Sequence, residues 1–179
     1  PDYVHVLHNG QIVKSGGSMV GFNNVGFDYP VVHLILKNQN CTVTDIYNKA
    51  QDIISSFDDR FAHIVREKDV LIPQIDLFKI HHFDNKARMT SLKMLEFNMR
   101  MDNIEELPFK PGTTLTSDQI DKLLEYNKHD LKATAMFLEK SMKEINFRGG
   151  LSNQYGKNFM NFNDTKIGKD YFVHELEKN

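Results

Sequence analysis

Residues 123–140, LLEYNKHDLKATAMFLEK, constrain the fold more than any other stretch of the chain. Leu123, Leu124, Leu131, Ala135, Phe137 and Leu138 recur at roughly three- and four-residue spacing, which predicts a helix. Tyr126 and Asp130 stand four apart and so share one face of it. A phenol one turn from a carboxylate can orient a water beside a carboxylate-bound metal. A solvated helix face is the plainer reading of the same spacing.

Composition bounds the rest. A chain of 179 residues is enough for one domain that buries a core without disulfides. Apolar residues at 40% and charged residues at 26% describe an ordinary soluble globular protein. The formal net charge is −2, so no overall basic field draws nucleic acid, and any such contact comes from a local patch. Cys41 is the only cysteine, which excludes an internal disulfide and a cysteine-based zinc site. A buried thiol in a reducing cytoplasm is the expected state. The apolar runs are too short for a membrane span and the N-terminus has no signal-peptide pattern, so a cytoplasmic protein without a membrane partner is expected.

In chain order, residues 3–7 and 11–13 read as two short strands around the turn His8-Asn9-Gly10, followed by the joint Ser15-Gly16-Gly17-Ser18. Residues 19–22 predict a strand. Tyr29-Pro30 opens an apolar helix, proline being at home in a first turn. Asp28 thus falls where strand gives way to helix, a place that suits either a functional carboxylate or a helix cap. Thr42 and Thr44 can cap a second helix over residues 46–54. Residues 70–80, VLIPQIDLFKI, predict a strand region broken at Pro73, with His81-His82-Phe83-Asp84 as a loop at its end. Thr90 or Ser91 caps a helix, SLKMLEFNMRM, with Leu92, Leu95, Phe97 and Met99 as its apolar members. Thr116-Ser117-Asp118 starts the long helical region, expected to run to about Ile145 and to be ended by Gly149-Gly150. A last helix is expected over residues 165–177.

Two stretches carry a family resemblance when read together. GFNNVGFDYP resembles the second motif of proofreading exonucleases, Asn-x2–3-Phe-Asp, met by Asn23 or Asn24, Phe27 and Asp28. YNKHD resembles the third, Tyr-x3-Asp, met by Tyr126 and Asp130, about 100 residues later. QIDLFKI and SLKMLEF fall where the middle strand and helix of that ribonuclease-H-like domain stand. Residues 19–147 are similar to DnaQ-type 3′–5′ exonucleases of the DEDDy subgroup, as in the exonuclease domains of phage DNA polymerases. The resemblance implies an α/β fold, a ribonuclease-H-like mixed sheet flanked by helices, with residues 148–179 as a helical C-terminal extension. Residues 1–17 resemble the late β-hairpin of the ABC-type iron–sulphur-assembly ATPase and carry no nucleotide-binding residue; residues 1–18 are read as a fusion segment.

The resemblance also implies a chemistry, hydrolysis of phosphodiester bonds at single-stranded DNA 3′ ends. Two Mg²⁺ or Mn²⁺ ions about 4 Å apart clamp the attacking and leaving oxygens in such a site. Hard oxygen ligands suit them, so Asp28 and Asp130 are implied as metal ligands, with Tyr126 orienting the attacking water. Asn23 or Asn24, Phe27 and Lys128 are implied as nucleic-acid contacts, within a basic rim of Lys86, Arg88, Lys93, Lys128 and Lys132. His129 is expected on another helix face. A polymerase domain or a replication protein is the implied partner.

One motif of the family is missing. The Asp-x-Glu pair that supplies two further ligands is absent, since Asp2 is the only acid before Phe27. Either the chain is an impaired exonuclease, an inactive nuclease-fold module or a chimera, or another acid takes the place of that pair. Asp76, on the strand region between the motifs, is the first such candidate.

Overall fold

The computed structural model describes residues 17–178 except residues 57, 58, 60, 105 and 111. The hairpin expected within residues 1–16 lies outside them. Strands β1 (Met19–Gly21) and β2 (Gln74–Asp76) pair in parallel, with Met19 opposite Gln74 and Gly21 opposite Asp76. Parallel neighbours need a crossover, and α1 (Asp28–Lys37) and α2 (Val43–Ser55) lie within it. The architecture is α/β: this two-stranded sheet and seven α-helices among the described residues. The larger mixed sheet of the ribonuclease-H-like expectation is not formed there.

Local chemistry explains most boundaries. Thr42 and Asp45 form a reciprocal capping box at the start of α2. Ser91 Oγ accepts Met94 N–H at 3.2 Å and starts α4 (Leu92–Asn98). Gln119 Oε1 accepts Thr116 N–H at 3.0 Å ahead of α5 (Ser117–Lys140). The strand expected over residues 70–80 is shorter, because Asp76 caps a new helix, α3 (Leu77–Ile80), by accepting Phe78 N–H at 3.0 Å.

Ser141 joins α5 to α6 (Met142–Tyr155), and α7 (Asp164–Glu177) closes the chain. Gly149 and Gly150 were expected to end a helix and instead lie inside α6; Gly156, at φ 63°, ends it. The buried Arg148, just before the glycine pair, ties α6 to its neighbours. Its guanidinium donates to Ile80 O at 3.1 Å, Phe162 O at 2.7 Å, Glu144 O at 3.0 Å and Asp164 Oδ1 at 2.7 Å. Asn161 ties the C-terminal segment to the sheet, donating to Gln74 O at 2.9 Å and accepting Asp76 N–H at 2.8 Å.

Leu77, Ile80, Leu95, Phe137 and Ile145 form the core, with Val20, Phe22, Phe83 and Met99 packed against it. At about 1.5 Å per residue α5 is about 36 Å long. Ala133 and Phe137 on its inward stripe are buried, whereas Leu124 and Leu131 are exposed. Cys41 is half-buried, not buried as expected. No helix among the described residues is long and apolar enough to cross a membrane.

Candidate functional site

The inward stripe of α5 runs Tyr126, His129, Asp130, Ala133, Phe137, at offsets of three, four, seven and eleven. Its second half is core and its first half is polar. The facing stripe of α4 is Leu92, Leu95, Glu96, Met99, at offsets of three, four and seven. Glu96 therefore points inward with 0% exposure, and Phe97, expected in the core, is 68% exposed. That inversion is costly, since a buried carboxylate gives up its hydration.

Where the two stripes meet, ligand atoms of Glu96, His129 and Asp130 all lie within 4.8 Å of one another. His129 Nδ1 stands 3.9 Å from Glu96 Oε1, too far for a hydrogen bond. Both carboxylate oxygens of Glu96 and both ring nitrogens of His129 are buried without a hydrogen-bond partner. His129, expected on another face, is turned inward instead. Lys93 Nζ lies 4.9 Å from the centre of the Tyr126 ring. Burial, and then the neighbouring Asp130 charge, raise the Tyr126 phenol above its ordinary value, while Lys93 opposes the rise. Tyr126 is therefore a protonated donor at neutral pH.

The second motif forms a separate, tightly held turn. Asn23 adopts the left-handed conformation, at φ 62°, which asparagine tolerates. The Asp76 carboxylate, fully buried, accepts Asn23 N–H at 3.0 Å, Val25 N–H at 3.1 Å, Phe78 N–H at 3.0 Å and Lys79 N–H at 3.4 Å. Asp76 thus clamps the turn after β1 to the start of α3, with Oδ1 accepting three of these bonds and Oδ2 one. Asn24 is fully buried and donates to Gln74 Oε1 at 2.7 Å, which leaves Asn23 as the outward member of the pair. Asn23 and Phe27 border a cavity of about 420 Å³ whose described lining also includes Phe61, Phe78, Lys79, Asp59 and Asp84.

Asp28 occupies the first turn of α1 and is not a member of the Glu96–His129–Asp130 group. The cap position belongs to Phe27, so Asp28 is not the cap either. Burial of its carboxyl pushes the pKa up to about 6; its backbone N–H restrains the rise and the Asp76 charge adds to it. The residue as a whole is exposed, so water tempers the effect. A carboxyl that holds its proton more tightly when folded favours folding below its unfolded value of 3.8, and that contribution is lost as pH rises through about 6. Urea midpoints are accordingly expected to fall across this window and to flatten in Asp28→Asn. An equal slope in that variant would place the titration elsewhere.

Lys128, implied as a nucleic-acid contact, is exposed and pairs with Glu125 at 2.5 Å. Both border an open groove of about 500 Å³ that also reaches Tyr126 and Lys122. His81 is structural. Ser141 Oγ donates to Phe137 O at 2.7 Å, so His81 Nε2–H donates to Ser141 Oγ at 2.8 Å. The apolar cavity of about 510 Å³ lined by Phe147, Tyr155 and Phe159 contains none of the candidate residues.

Of the three converging residues, Asp130 was named from the sequence, whereas Glu96 was not and His129 was expected elsewhere. Their positions on the inward stripes were the available signal. Compared with family models, curated proteins and solved structures, the chain matches none of them.

Proposed function

We propose that the chain hydrolyses phosphodiester bonds at single-stranded DNA 3′ ends, as a metal-dependent exonuclease of the phage replication type with ribonuclease-H-like ancestry. The observation that carries this reading is the Tyr126–Asp130 face of α5, set against a buried, unpartnered carboxylate on α4. The parallel strand pair, with Asp28 following the first strand, supports it further.

In this reading Asp130 is a metal ligand, and Mg²⁺ or Mn²⁺ is the ion that the resemblance implies, with Asp28 as a second ligand. A bound ion supplies positive charge to the phosphate and acidifies a water. Tyr126, a protonated phenol, would orient such a water through its O–H. Lys93 places a second positive charge beside the phenol. The hollow at Asn23 and Phe27 offers aromatic faces on which a terminal base can stack, a contact worth about 1–3 kcal/mol per base.

A 5′-labelled single strand incubated with the purified chain and Mg²⁺ or Mn²⁺ is expected to shorten from its 3′ end. Asp130→Ala should lower the rate by about 100-fold or more, because a ligand is lost. Tyr126→Phe should lower it by about 10-fold, because only a water-orienting hydroxyl is lost. No shortening with either ion, or shortening indifferent to Asp130→Ala, would overturn the reading. Intact DNA that is nevertheless bound, more weakly as salt rises, would favour an inactive nuclease-fold module.

A further inference from the structure

We propose that Glu96, His129 and Asp130 form a single-ion site for a divalent transition metal, taking Zn²⁺ before Mn²⁺ and either of them before Mg²⁺. The ligand set differs from the all-oxygen pair implied by the exonuclease resemblance: it uses an imidazole, Glu96 lies outside both motifs, and His129 fills one of the three unassigned positions of the third.

Three observations carry the assignment. The first is placement, since ligand atoms from two packed helices converge within 4.8 Å. In a tetrahedral site with bonds of about 2.1 Å, ligand atoms lie about 3.4 Å apart. Small side-chain rotations of about 1 Å would close the group around an ion. The second is the state of Glu96, which is fully buried with both oxygens lacking any hydrogen-bond partner. Buried carboxylates are normally paired, hydrogen-bonded or metal-bound. The third is that His129 and Glu96 do not satisfy each other. A charge-assisted contact would close to about 2.8 Å, whereas this one stays open at 3.9 Å and both imidazole nitrogens lack partners.

The donor set points to the class of ion. Imidazole nitrogen suits Zn²⁺ and its neighbours, whereas Mg²⁺ prefers an all-oxygen shell and releases its waters reluctantly. Three protein ligands would leave a position for water, and Tyr126 shares the stripe of α5 that carries His129 and Asp130. The group offers two carboxyl ligands beside its one imidazole.

The assignment deepens the hydrolytic reading without needing turnover, because binding is measured with no substrate. The full chain, stripped of metal, is titrated calorimetrically with ZnCl₂, MnCl₂ and MgCl₂ in separate runs. Zn²⁺ is expected to bind one per chain, about 100-fold or more tighter than Mg²⁺. Glu96→Gln and His129→Gln should each weaken Zn²⁺ by about 10- to 100-fold, while His63→Gln, away from the site, should not. Co²⁺ absorption serves as a second readout: intense visible bands of a four-coordinate site that are lost in His129→Gln support the assignment. Binding unchanged by Glu96→Gln, or equal affinity for Mg²⁺ and Zn²⁺, would overturn it. Zn²⁺ held at this site by a chain that leaves DNA intact would sink the hydrolytic reading alone. Mg²⁺-dependent turnover indifferent to Glu96→Gln and His129→Gln, with no Zn²⁺ bound, would sink the metal assignment alone.

Discussion

Asp76→Ala is expected to destabilise the fold by about 3–5 kcal/mol, a large share of the stability of a domain this size. The carboxylate is fully buried and accepts four backbone N–H groups, two from the turn after β1 and two from the start of α3. An alanine leaves those donors with no acceptor, and each orphaned donor costs about 1–3 kcal/mol when water cannot reach it. Asp76→Asn keeps one carbonyl oxygen but sets an amide N–H₂ against N–H donors, so a loss of about half that size is expected. Urea unfolding of the two variants reads both values. A loss below about 1 kcal/mol in Asp76→Ala would mean that water reaches the turn and takes over the acceptor role. Because the same turn carries Asn23 and Phe27, the variant should also disturb the hollow they border.

Glu96→Met is expected to act in the opposite direction, raising the stability of the metal-free protein by about 1–4 kcal/mol. Methionine has similar length and no hydration to lose, and it would pack beside Leu95 and Met99 on the inward stripe of α4. The same change should abolish the rise in melting temperature that Zn²⁺ confers on the unsubstituted chain, since binding to the folded state alone is what produces that rise. Stability gained together with ligand response lost is the signature of a residue kept for a site. Metal-free Glu96→Met less stable than the unsubstituted chain would show that the carboxylate has a favourable partner and would remove the reason for proposing the site.

Local hydrogen bonding was legible from the chain alone. The capping pattern at Thr42, the Ser91 cap and the start of α5 after Thr116 each rest on groups within three residues of each other, so neighbouring letters determine them. The strand at residues 19–21, the helix that follows it and the shared face of Tyr126 and Asp130 were likewise legible from near-neighbour patterning. Burial is a different kind of property, because it depends on which surface a helix meets. The apolar letters of α4 put Phe97 in the core, but packing against α5 buried Glu96 and turned Phe97 to solvent. Glycines 149 and 150 read as a helix end, yet α6 runs through them, docked beside them by hydrogen bonds from Arg148 to Ile80 and Phe162. The clamp that Asp76 forms was not legible at all, since two of its four donors lie more than 50 residues earlier in the chain. Sequence thus determined where helices begin and which side chains share a face. Only the tertiary structure decided which face is buried and which carboxylate remains unpartnered there, because both depend on groups brought together from distant parts of the chain.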